Sequence, residues 1–92
     1  MRTTSPDPYQ PVAPAAPVTA TLDGLDLVVT AADALPLLVL GVDVATGEGG
    51  YLQVDVRPGV TRLAAPLHRS GVHVEVVDGR SGAVYAQLVT AA

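Results

Sequence analysis

Two histidines, His68 and His73, and nine carboxylates are the side chains from which this sequence could build metal or acid–base chemistry. A metal site needs three or four converging donors. There is no cysteine, and the two histidines flank a turn at Ser70-Gly71. Alternation sets His73 near Glu75 and Gln87 on a polar strand face, the setting of a solvated surface. Catalytic carboxylate pairs need one member with a raised pKa in a shaped cleft. Asp23 belongs to a turn, whereas Asp26, Asp43 and Asp55 alternate outward from strands. No serine has a base and an orienting acid nearby. Thr46–Tyr51 reads TGEGGY, but a phosphate cradle needs a following helix and usually a cation. Here a strand follows, and Glu48 adds negative charge. Tyr51 and Tyr85 are too few for a sugar-stacking platform, and Asp78-Gly79-Arg80 is a common turn tripeptide. The expectation is a protein that is no enzyme, with no metal and no cofactor.

The least ordinary spacing lies near the start, in PYQPVAPAAP. Prolines occupy positions 8, 11, 14 and 17, the repeat of a polyproline II helix, so their rings would line one edge of a rod. At about 3.1 Å per residue that rod reaches roughly 30 Å. It lacks the flanking Arg that usually orients PxxP ligands. Residues 1–17 are therefore expected to form an extended arm that contacts a protein partner through Pro8, Tyr9, Pro11, Val12, Pro14 and Pro17.

The elements behind these residues must come from a short chain of 92 residues. Residues 18–92 leave a body of about 75 residues, which buries only roughly 60 % of its unfolded surface. No disulfide can support it, yet 49 % of the chain is apolar. Such a body is expected to leave apolar surface for self-association or docking. Lys, Asn, Ile, Phe, Trp and Cys are all absent, the bias of a high-GC genome, so the core must be Val, Leu and Ala. A net charge of −4 with five scattered arginines argues against a nucleic-acid surface, which needs clustered cations. Residues 1–20 hold no apolar run of signal-peptide length, and no run is long enough to span a bilayer.

From Val18 onward the hydrophobic period is two, which predicts strands. VTATL and LDLVVT flank Asp23-Gly24, a type I′ hairpin signal that sets Leu22 against Leu25 and Ala20 against Leu27. AADALP is read as a connection ending at Pro36. LLVLGVDV (37–44) then meets YLQVDV (51–56) with Val44 against Leu52, Val42 against Val54 and Leu40 against Val56, leaving the loop TGEGG. Arg57-Pro58-Gly59 is a turn, and VTRLAA (60–65) is another strand. VHVEVV (72–77) meets AVYAQLV (83–89) with Val76 against Val84, Val74 against Ala86 and Val72 against Leu88, leaving DGRSG.

Seven short strands and no helix predict an all-β, seven-stranded antiparallel sandwich over residues 18–92. Hairpins at strands one-two, three-four and six-seven resemble the fibronectin type III and immunoglobulin-like folds over residues 18–90. The buried Trp, cysteine pair and tyrosine corner of antibody-type domains are absent. A β-rich body with a terminal arm is also similar to small accessory proteins that decorate tailed-phage virions. That resemblance implies a structural virion protein, assembled in the host cytoplasm. Its partners would be capsid or tail lattice subunits, or further copies in a homo-oligomer. The second expectation is a bacterial immunoglobulin-like module that binds a protein or glycan through its loops.

Overall fold

The structure is a computed structural model that describes residues 18–90. The expected arm, with Pro8, Tyr9, Pro11, Val12, Pro14 and Pro17, lies outside the described residues. Seven strands follow in order: β1 (Val18–Asp23), β2 (Asp26–Ala31), β3 (Leu35–Asp43), β4 (Gly49–Val56), β5 (Gly59–Ala64), β6 (Val72–Asp78) and β7 (Val84–Val89). They form two antiparallel sheets, one ordered β1-β2-β5 and the other β4-β3-β6-β7. No helix interrupts the described residues. Period-two sequence with one apolar face can hide that face only against a second sheet, and this arrangement is a sandwich.

The core lies between the sheets. Val18, Leu27, Val29 and Ala31 project from one, and Leu35, Leu37, Val39, Val56, Val72, Val74 and Val76 from the other. The expectation that Val72, Val74 and Val76 face inward on a central strand is borne out, since none of the three is exposed. β6 lies between β3 and β7. Outward-facing His73 and Glu75 alternate with these valines and are half-buried.

All three hairpins differ from the expected pairing, each for a local reason. In the first, Leu22 faces Leu27 and Ala20 faces Val29. The turn is centred on Gly24-Leu25, and Gly24 alone takes positive φ, at +64°. Glycine in the first central position is what a type II′ turn requires. In the second, Leu35, Leu37 and Val39 face Val56, Val54 and Leu52. The inward residues of β3 are thus the odd-numbered ones, and Leu40, Val42 and Val44 point away from the core. In the third, Val74 faces Leu88 and Val76 faces Ala86, while a bulge after Val76 brings Val77 opposite Val84 and leaves Tyr85 extra. Ala86 and Leu88 face inward as expected, with the register moved by two, whereas Val84, expected inward, is exposed beyond the bulge.

Pro36 lies inside β3 rather than ending a connection. Its carbonyl accepts from Gly79 N–H at 3.0 Å, so the missing proline N–H falls where the β3–β6 ladder runs out, a position that tolerates it. One further feature shapes the core. Gly41 on β3 pairs with Gly50 on β4, and the β5–β6 connection crosses this trough. Pro66 lies over Gly41 and Leu67 over Gly50. Leu67 adopts φ +55° to make the crossing.

Candidate functional site

Asp23 and Asp26 share one ion-pair cluster, and Asp43 belongs to another. Asp23 and Asp26 face each other across the first hairpin, where like charges would repel. Arg62 on β5 reaches both, at 2.8 Å from Asp23 and 3.1 Å from Asp26. His68 Nε2 lies 2.9 Å from the other Asp26 oxygen. The hydrogen bond from His68, with Arg62 beside it, outweighs partial burial and holds the Asp26 carboxyl below its ordinary value. A carboxylate held in its charged form by such contacts is a poor proton donor near neutral pH. His73 belongs to the other sheet, in line with Val42 and Val89 on its outer face. Among the described residues no group of three or more potential ligands converges on a metal position.

Asp43 does not alternate outward with Asp55 but is buried at the inner end of β3. Its Oδ1 accepts from the N–H groups of Ala45 at 2.9 Å and Thr46 at 3.2 Å. Its Oδ2 accepts from Arg69 Nε at 2.9 Å, and the same guanidinium holds Glu48 at 2.7 Å. Burial opposes the charge, but the Thr46 and Ala45 amides and Arg69 prevail and keep this carboxyl below its ordinary value. The loop amides are therefore used internally. Gly47 N–H goes to the Asp43 carbonyl at 2.7 Å and Glu48 N–H to Thr46 Oγ1 at 3.2 Å. A loop whose donors are spent in this way cannot cradle a phosphate.

The β6–β7 loop repeats this construction bond for bond. Asp78 Oδ1 accepts from Arg80 N–H at 2.7 Å and Ser81 N–H at 3.3 Å. Gly82 N–H goes to the Asp78 carbonyl at 3.0 Å, and Ala83 N–H to Ser81 Oγ at 3.2 Å. Gly47 and Gly82 take φ of +78° and +79°, the left-handed conformation that only glycine adopts freely. Each loop thus reads Asp-x-x-Thr/Ser-Gly, and the signature occurs twice in the sequence. It is an Asx turn followed by a glycine in the left-handed region. The alternation in the sequence starts the first loop two residues late, at Thr46 rather than Val44, and places Asp78 in the second as loop rather than strand end.

Asp78 is also the most heavily bonded carboxylate. Arg80 pairs with it at 3.1 Å, and the Tyr85 hydroxyl, freed by the bulge, donates to it at 2.6 Å. The Arg80 side chain, then Tyr85 and the loop amides, hold its pKa far below the ordinary 3.8. The folded state therefore binds the ionised form. Its stabilisation is complete above the unfolded carboxylate value and is lost as pH falls below about 4. We expect the melting temperature to drop on acidification from about pH 7 to pH 3. Asp78→Asn should melt lower at neutral pH and decline less steeply, in thermal circular dichroism of both proteins across that range.

Tyr51 and Tyr85 form no platform. Tyr51 is 69 % exposed on β4, whereas Tyr85 lies on β7 at the far side of the same sheet. What the outer face of this sheet does carry is an apolar stripe. Leu38, Leu40 and Val42 point outward from central β3, with Tyr51 directly beside Leu40. Val42 and Val89 lie in one row on either side of His73, and both are exposed. An open groove lined by Leu22, Leu25, His68, Arg69 and Val89 lies at the β1–β2 turn end. No helix of the described residues is long and apolar enough to cross a membrane.

No family model, no curated protein and no solved structure matches this chain. The class defined by the fold is an all-β sandwich of two antiparallel sheets.

Proposed function

We propose that this protein is a non-enzymatic structural component of a larger assembly, a virion accessory protein of the capsid-decoration kind in a tailed phage. The observation that carries the reading is the apolar stripe Leu38, Leu40, Val42 and Tyr51 on the outer face of the four-stranded sheet. An outer sheet face in water is ordinarily polar. One that places leucines along its central strand suits contact with a neighbouring lattice subunit. The division into β1-β2-β5 and β4-β3-β6-β7, with three hairpins inside the sheets, supports an immunoglobulin-like or fibronectin type III-like body as the rigid carrier of that face. The ionised, internally paired carboxylates favour a stable scaffold over acid–base chemistry.

In this reading the arm, through Pro8, Tyr9, Pro11, Val12, Pro14 and Pro17, adds a second contact. A chain already held in polyproline II loses little entropy on binding. Replacing the four prolines by glycine keeps the length and adds an ordering cost of roughly 1 kcal/mol per freed residue. Occupancy on purified particles should then fall sharply, and by more than deletion of Met1 to Thr4 causes. The melting temperature of the body should not move. Unchanged occupancy with the glycine arm, together with tight binding of the free protein to a soluble protein or glycan, would replace the assembly reading with that of a binding module.

A further inference from the structure

Each sheet ends in two outer strands, β1 and β5 in one and β4 and β7 in the other. β1 and β7 approach one another and close one side of the sandwich, whereas β4 and β5 on the other side belong to different sheets and do not pair. β4 is the longest of the four, with 8 residues against 6 in each of the others. Natural sheet edges are blunted by Lys, Pro or bulges. Gly49–Val56 contains no Lys, Arg or Pro, and its ladder with β3 is regular. β5, in contrast, lies between Pro58 and Pro66 and carries Arg62.

The ladder shows which β4 groups are free. Asp43 N–H donates to the Glu48 carbonyl at 2.8 Å, and hydrogen-bonded pairs recur at every second residue of an antiparallel ladder. Gly50, Leu52, Val54 and Val56 therefore turn their backbone groups toward β3. Gly49, Tyr51, Gln53 and Asp55 turn theirs to the open edge, where no described strand pairs with them.

We infer that this edge is an interface for a second copy of the chain, β4 pairing antiparallel with β4 about a twofold axis through Gln53. In that register each Gln53 faces its counterpart, Leu52 faces Val54 and Tyr51 faces Asp55. The outward N–H and C=O groups of Tyr51, Gln53 and Asp55 then pair with one another. Leu52 and Val54 face the core but are only half-buried, and the pairing covers both. Asp55 meets a tyrosine rather than its own copy, which avoids a like-charge pair. A slip of one residue would set Leu52 against Gln53 and turn the second core to the opposite face. The register is therefore self-complementary, and it joins the two four-stranded sheets into one. This inference rests on the strand edge and does not use the arm.

The test uses the full chain in sedimentation equilibrium over a range of concentrations, with residue-resolved hydrogen exchange. The wild type should form a dimer. The Tyr51, Gln53 and Asp55 amides should become protected only where dimer is present, and the Leu52 and Val54 amides should be protected throughout. Gln53→Lys and Gln53→Glu place like charges face to face, and each alone should weaken the dimer by roughly tenfold or more. Mixed together, they should pair again. Both should melt as the wild type does at low concentration, because the Gln53 side chain is exposed. A wild type that stays monomeric would overturn the inference. So would a dimer that ignores the Gln53 charge or leaves the Tyr51, Gln53 and Asp55 amides unprotected. Association through the arm would give that last result, so it would not be mistaken for edge pairing.

Discussion

Val74→Asp is expected to prevent folding, whereas Glu75→Ala, one residue along the same strand, should be nearly silent. Val74 is fully buried, with Gly41 opposite on β3 and Leu88 opposite on β7. Val76 and Val72 continue its row, and Leu27 and Val29 share the core between the sheets. The substitution removes about 1.5–3 kcal/mol of valine burial and leaves a carboxylate with no cation beside it. Such a group must be desolvated or forced to protonate, at a further cost of several kcal/mol. A domain of this size holds only on the order of 5–10 kcal/mol in total, so the two losses together consume most or all of it. Glu75 faces outward, and its one side-chain bond is from Gln87 Nε2 at 3.1 Å. Loss of an exposed contact of that kind costs within about 0.5 kcal/mol. Urea titration followed by circular dichroism separates the two cases, and equal behaviour of the mutants would contradict the face assignment of β6.

Gly41→Ala should destabilise the protein markedly, and Gly50→Ala should not, although the two glycines face each other across the same ladder. A Cβ on Gly41 would meet the Pro66 carbonyl oxygen at 3.0 Å, Pro66 Cβ at 3.1 Å and Val72 Cγ1 at 3.3 Å. The nearest of these atoms is backbone, in a connection that already needs φ +55° at Leu67, and it cannot give way cheaply. Overpacking of this sort costs about 1–3 kcal/mol. A Cβ on Gly50 would meet only Leu67 side-chain carbons and Pro66 Cβ, the nearest at 3.5 Å, which is ordinary contact. The entropy lost from the unfolded chain would then favour the alanine by about 0.4–1 kcal/mol. Denaturant midpoints of the two variants should therefore move in opposite directions. If both glycines tolerate alanine equally, the β5–β6 connection does not cross where the structure puts it.

The strands with one polar and one apolar face could be read directly from the residues. In β6, V-H-V-E-V admits only one orientation, because burying His73 and Glu75 would strand polar groups in the core. β4 is equally plain: Gln53 and Asp55 face out, so Leu52, Val54 and Val56 face in. Among the described residues, seven strands, the absence of helix and the three hairpin positions follow from such alternation and from the Gly-containing breaks between runs. β3 was not readable in this way. Leu37, Leu38, Val39 and Leu40 are apolar on both faces, so periodicity cannot say which side meets the core. The decision belongs to the loop that follows: Asp43 takes the Ala45 and Thr46 amides and so fixes where the chain turns. An odd-numbered β3 residue must then face an even-numbered β4 residue. Asp43 itself shows the same limit from the other side, since a charge in a strand reads as solvent-facing until Arg69 is brought to it. That arginine lies 26 residues further on, across the strand β5 and the Pro66–Leu67 crossing. Alternation is a property of neighbours in sequence and survives in the bare residues; register and ion pairing join residues far apart, and only the closed sandwich brings them together.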